Sequence, residues 1–77
     1  MGTVRHATYV VYPAALFDGW EVVRDGDVNP VFFDERDAAI SYARVRALRE
    51  GGATVRLENW YGDSEGTMEV HSLALEV

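Results

Sequence analysis

With 77 residues, 48% hydrophobic content, two Trp and no Cys, the chain is one small globular domain, close to the size below which a core needs staples. The missing cysteine excludes disulfides, thiolate zinc sites and a thiol nucleophile, and a net charge of −6 argues against general binding to phosphate backbones. No apolar run reaches the length of a membrane span and no signal-peptide core opens the chain, so a cytoplasmic protein without membrane contact is expected.

The predicted elements begin with a strand over residues 3–12, rich in Thr, Val and Tyr and ended by Pro13. Residues 13–19 form a loop with apolar Leu16 and Phe17 where a polar tip is normal. A second strand covers residues 20–24, with Trp20 and Val22 on one face and Glu21 and Val23 on the other. Asp25-Gly26-Asp27 supplies a hairpin turn, and residues 28–33 form the returning strand. Pro30 within that strand places it at a sheet edge, where a missing N–H does no harm.

A helix follows. Asp34 is the expected N-cap, and Glu35 and Asp37 place negative charge at the positive end of the helix dipole. Residues 36–50 contain no Gly or Pro, and Gly51-Gly52 ends the helix in the left-handed conformation that glycine tolerates. Residues 54–60 give a fourth strand, with Val55 and Leu57 facing one way and Thr54, Arg56 and Glu58 the other. Residues 61–66 are a turn, and residues 67–77 a final strand. Met68 and Val70 share one parity in that strand, while Leu73, Leu75 and Val77 share the opposite one. The switch predicts a bulge near His71-Ser72, or a tail that leaves the sheet to cap its own chain or exchange with a neighbour. The expected fold is therefore α+β: a twisted, mainly antiparallel sheet in the order β-β-β-α-β-β with one helix on one face. Its expected core is Trp20, Val22, Phe33, Ile40, Ala43 and Val55.

The helix carries two apolar stripes. At about 100° per residue, Ala39, Ile40, Ala43 and Ala47 lie within one arc, and Ala38, Tyr42, Val45 and Leu48 lie nearly opposite. Periodicity alone leaves open which stripe faces the sheet.

Several short motifs resemble a bacterial family catalogued as domain of unknown function 2188. They are Tyr9-Val10-Val11-Tyr12-Pro13, Gly19-Trp20 with Val22, Phe33-Asp34 at the helix start, Ala39-Ile40 with Ala43 and Ala47, a glycine at 51 or 52, Val55, and the turn with Gly62-Asp63 and Gly66. The resemblance spans residues 9–66. It implies a β-β-β-α-β type of fold, assigns Ala39, Ile40, Ala43 and Ala47 to the sheet side, and brings no established activity. A bacterial source also fits the basic residues, which are all Arg. The apolar loop at residues 14–17 and the long apolar last strand depart from the family pattern.

Constellations with chemical potential each have a plainer account. His6 and His71, the two histidines, with Glu69 or Asp63 make a conceivable metal or general-base site, but histidines on strand surfaces are usually solvated. Asp34, Glu35 and Asp37 lack the alternating spacing of a calcium loop, and helix capping explains them. Asp63-Ser64-Glu65-Gly66 is accounted for by turn chemistry, and Gly51-Gly52 closes a helix where a phosphate loop would open one. Trp60-Tyr61 with Trp20, Tyr9 and Tyr12 would suit base stacking only in cationic surroundings, and acids flank Arg24 and Arg56.

No cofactor, metal set or nucleophile–base pair emerges, so an enzyme is not expected. The leading expectation is a non-catalytic oligomeric or protein-interaction module. A weak nucleic-acid-binding domain and a small-ligand or metal-dependent enzyme rank below it. A homodimer or higher homo-oligomer is expected, through Leu16, Phe17, Tyr42, Val45, Leu48, Leu73, Leu75 and Val77, each a large apolar side chain with no evident cover on a monomer.

Overall fold

The computed structural model describes residues 7–71. In chain order these form β1 (Ala7–Pro13), β2 (Trp20–Arg24), β3 (Val31–Phe33), α1 (Arg36–Arg49), β4 (Gly52–Glu58) and β5 (Ser64–His71). The strands make one open sheet in the order β3-β2-β1-β4-β5. The β1–β2, β2–β3 and β4–β5 pairs are antiparallel, and β1 and β4 run parallel. This is the expected α+β fold, a meander followed by a helix that returns the chain to the far side of β1.

Register sorts the side chains. Tyr9 pairs with Arg24 and Val55, and Val11 with Val22 and Leu57. Trp20 pairs with Phe33, Ala53 with Val70, and Val55 with Met68. All of these project toward α1. The opposite face carries Thr8, Val10, Tyr12, Glu21, Val23, Phe32, Thr54, Arg56, Glu58 and Glu69. Among the described residues the one helix packs against the first face alone.

The core is thin and built from small side chains. Val11, Val22 and Val55 are its largest fully buried members, and Ala39, Ala43 and Ala47 of α1 are fully buried against them. The alanine stripe is therefore the sheet-facing stripe, with Ile40 half-buried at its margin. Along that stripe only methyl groups separate the helix backbone from the sheet, so van der Waals contact requires close approach. Of the expected core, Val22, Ala43 and Val55 are buried, while Trp20, Phe33 and Ile40 pack on its rim.

Element boundaries differ from the sequence expectation at the helix start, at the start of β3 and at the β4–β5 turn. The N-cap is Glu35, not Asp34, and no side chain caps the helix. Phe33 stays in β3 to pair with Trp20, so residues 34 and 35 are spent turning the chain. The first intrahelical bond then runs from Ala39 N–H to the Glu35 carbonyl (3.2 Å). The strand expected from residue 28 starts at Val31. Extending the ladder beyond Val22–Val31 would set Pro30 opposite Val23, and proline has no N–H to give. β3 is nonetheless the edge strand that Pro30 implied. The turn expected at residues 61–66 lies at residues 59–63, so β4 ends earlier and β5 starts earlier. Its cause is Asn59, whose side-chain Oδ1 accepts from the N–H groups of Tyr61 (2.9 Å) and Asp63 (3.1 Å). A ladder shift lies between Leu57 and Glu58, and His71 still pairs with Gly52; Ser72, on which the expected bulge depends, and the tail with Leu73, Leu75 and Val77 lie outside the described residues.

Candidate interaction surfaces

Three places concentrate polar or exposed apolar side chains. The first lies where the end of α1 meets the sheet. Glu50 accepts from the Tyr9 hydroxyl and from Arg24, whose Nη2 is 3.0 Å and Nε 3.2 Å away. Arg46 lies over the Tyr42 ring, 5.8 Å from its centroid. Asp27, Asn29 and Val31 join these residues around a cavity of about 30 Å³, room for about one water molecule. The arrangement ties the helix end to β1 and β2.

Its electrostatics follow from the contacts. The hydrogen bonds from Arg24 hold the Glu50 carboxyl below its ordinary value of 4.5, against an opposing push from burial. Burial first, and Glu50 second, raises the Tyr9 phenol above 10.0. A carboxyl with a depressed folded pKa stabilises the fold above its unfolded value and loses that contribution as pH falls through the folded one. Unfolding temperature should therefore drop on acidification below pH 4.5, and Glu50→Gln should flatten that acid limb when thermal melts are followed across pH. An unchanged acid limb in the variant would show that Glu50 carries no such linkage.

The second place is a groove of about 540 Å³ between α1 and the outer strand β5, lined by Arg44, Leu48, Met68, Glu69, Val70 and His71. Ser41 and Val45 continue it up the helix, because a neighbouring hollow shares Arg44 and Leu48. Val45 is 46% exposed. Tyr42 and Leu48, on the same helix stripe, pack partly against the chain's own core. Tyr42 leans on Phe33 with ring centroids 5.1 Å apart. The stripe thus divides into two residues, Tyr42 and Leu48, that widen the core and two, Ala38 and Val45, that are exposed.

The third place is the end of the sheet where β1 and β4 stop. Because these strands are parallel neighbours, the loops at residues 14–19 and 59–63 emerge together. Leu16, Phe17, Trp60 and Tyr61 are all exposed on them, with Phe32 beside Phe17. Phe17 meets the Phe32 ring edge to face, at a centroid distance of 6.0 Å. Gly19 makes this possible. Its φ is +150°, and a Cβ there would lie 2.5 Å from both the Phe32 ring and the Phe33 carbonyl oxygen.

The chain matches no family model, no curated protein and no solved structure.

The remaining candidate residues are scattered. Tyr9 and Trp20 face the helix, Tyr12 faces the open side of the sheet, and Trp60 and Tyr61 project from a turn, so the five aromatics form no single platform. The arginines near them are engaged: Arg36 with Glu65 (3.5 Å) and over the Trp20 ring, Arg56 with Glu58 (2.9 Å), and Arg24 with Glu50. Among the described residues no group of three or more His, Cys, Asp or Glu is placed to hold a metal ion, and no helix is long and apolar enough to cross a membrane. His71 lines the groove, while His6 lies outside the described residues. Sequence reasoning singled out Leu16, Phe17 and Val45. It missed Phe32 and Asn59. The signal for Phe32 was the alternation in Val31-Phe32-Phe33, which puts the middle ring on the face away from the helix.

Proposed function

We propose that this chain is a non-catalytic protein-interaction module of a bacterial cytoplasm that associates with copies of itself through the groove between α1 and β5. The observation that carries the reading is the groove itself. It has apolar walls from Leu48, Met68 and Val70, an outward Val45 beside it, and Arg44 on its helix side. A two-fold axis uses such a patch twice, so one contact buries the apolar walls of both copies. The outer position of β5 adds support, since an edge strand offers backbone groups for pairing across the same axis. The resemblance to domain of unknown function 2188 adds the expectation of a bacterial source and brings no established activity.

Val45→Glu tests the assignment. Val45 is exposed at 46%, so the variant should keep its stability within about 0.5 kcal/mol of the parent. Its dissociation constant for self-association should rise by about tenfold or more, because a carboxylate is then desolvated at the contact. Equal association of parent and variant in size-exclusion chromatography with light scattering would remove the groove from the interface. Leu48 is a poorer probe, because its substitution also disturbs the core it packs on.

A further inference from the structure

We infer that the hollow formed by Phe17, Phe32 and Glu21 is a receptor for an arginine or lysine side chain presented by an apolar, basic segment of another protein. The hollow holds about 320 Å³, and these three are the described residues that line it. It lies on the β2–β3 side of the sheet and on the face away from α1, remote from the groove at β5. Neither surface depends on the other.

The chemistry of the hollow selects its occupant. Two phenyl rings meet edge to face, 65% and 41% exposed for Phe17 and Phe32. Ring faces attract cations and also accept the methylene stem of a long basic side chain. Glu21 supplies the anion. It sits between Tyr12 and Phe32 in the strand register, and its charge contributes, after burial, to raising the Tyr12 phenol above its ordinary value of 10.0. The Tyr12 hydroxyl hydrogen-bonds Glu21 without neutralising it, so a neutral apolar ligand would still desolvate its charge, and an anionic one would be repelled by it. A guanidinium or ammonium on an apolar stem satisfies all three walls.

The surroundings extend the preference from one side chain to a segment. Leu16 and Phe17 are exposed in the loop before β2, and Trp60 and Tyr61 in the neighbouring loop, so apolar flanking residues have surface to cover. Acidic Asp18, Asp34, Glu35 and Asp63 belong to the same end of the sheet, beside or between these loops. Arg36 and Arg56, the nearby cations, are paired with Glu65 and Glu58. Charge complementarity thus favours a basic partner over a second copy of this acidic end. Gly19 shapes the site, because only a residue without Cβ lets the Phe32 ring rest over the loop backbone beside Phe17.

The test is titration of the isotope-labelled chain with a blocked Leu-Arg-Leu peptide, followed by amide NMR shifts at low salt. A matched peptide with citrulline in place of arginine keeps the shape and removes the charge. Shifts should concentrate at Phe17, Gly19, Glu21 and Phe32. Citrulline should weaken binding by about tenfold or more, the scale expected when a charged hydrogen-bonding partner is lost. Phe17→Ala and Glu21→Gln should weaken the arginine peptide similarly, and Phe17→Ala should leave the fold intact, since that ring is exposed. Equal binding of both peptides, shifts located elsewhere, or no shifts at millimolar peptide would overturn the proposal. So would loss of self-association in Phe17→Ala, which would give the hollow to a second copy.

Discussion

Replacing Ala43 with leucine is expected to unfold much of the domain at physiological temperature. Ala43 is fully buried, midway along the stripe Ala39, Ala43, Ala47 that rests on Val11, Val22 and Val55. The contact surface is methyl against valine, so added carbons have nowhere to go unless the helix lifts. Overpacking in a filled core commonly costs about 1–3 kcal/mol. Lifting α1 would also loosen Ala39 and Ala47, so a loss of about 3 kcal/mol or more is expected here. A domain of this size has little more than that to lose. Ala38→Leu is the control. Ala38 is exposed on the same helix, and its change should stay within about 0.5 kcal/mol. Thermal melts followed by circular dichroism separate the two. Similar melting of both variants would mean that the alanine stripe does not bear on the sheet.

Gly19→Ala is expected to have the second-largest effect. Two costs coincide there. The backbone angle of +150° is one that residues with a side chain rarely adopt, and the new methyl would fall 2.5 Å from the Phe33 carbonyl oxygen, a backbone atom held by the β2–β3 pairing. Together they should cost about 2–4 kcal/mol. Gly26→Ala isolates the first cost: its φ is +98° but no atom lies within 4 Å of the added carbon, so about 1 kcal/mol is expected. The gap between the variants in chemical denaturation measures the close approach alone. Equal losses would show that Phe32 and Phe33 yield freely.

Much of this fold was legible in the chain because its signals were local and redundant. Alternation at Trp20–Val23 and at residues 54–58, a long run without glycine or proline, and Gly51 after the helix each specify one element. Gly51 has the left-handed φ of +92° that a helix end uses. Boundaries were less legible where a distant contact decides them. Asp34 has the chemistry of an N-cap, but the pairing of Phe33 with Trp20 moves the helix start to the next residue. Pro30 announced an edge without saying how many ladder rungs it would remove. The two helix stripes could not be ranked by periodicity, because alanine is as much at home exposed as buried. Only the facing valines decide between them.

The candidate surfaces were half legible for a similar reason. Leu16 and Phe17 stand out as apolar residues in a loop, and Val45 as an apolar residue on the outer side of a helix. Tyr42 and Leu48 looked equivalent to Val45 by helical angle, yet the sheet is wide enough to reach them from both flanks of α1. The hollow at Phe17 draws its residues from a loop and two strands. It exists only because register sets Glu21 opposite Phe32 and Gly19 lets the ring lie close. No spacing in the sequence encodes that meeting.

Sedimentation equilibrium of the intact chain over micromolar to millimolar concentration tests self-association most directly. The groove between α1 and β5 predicts a weight-average mass that climbs with concentration toward twice that of one chain or more, and a climb that Val45→Glu suppresses. A mass equal to one chain across the whole range would contradict it.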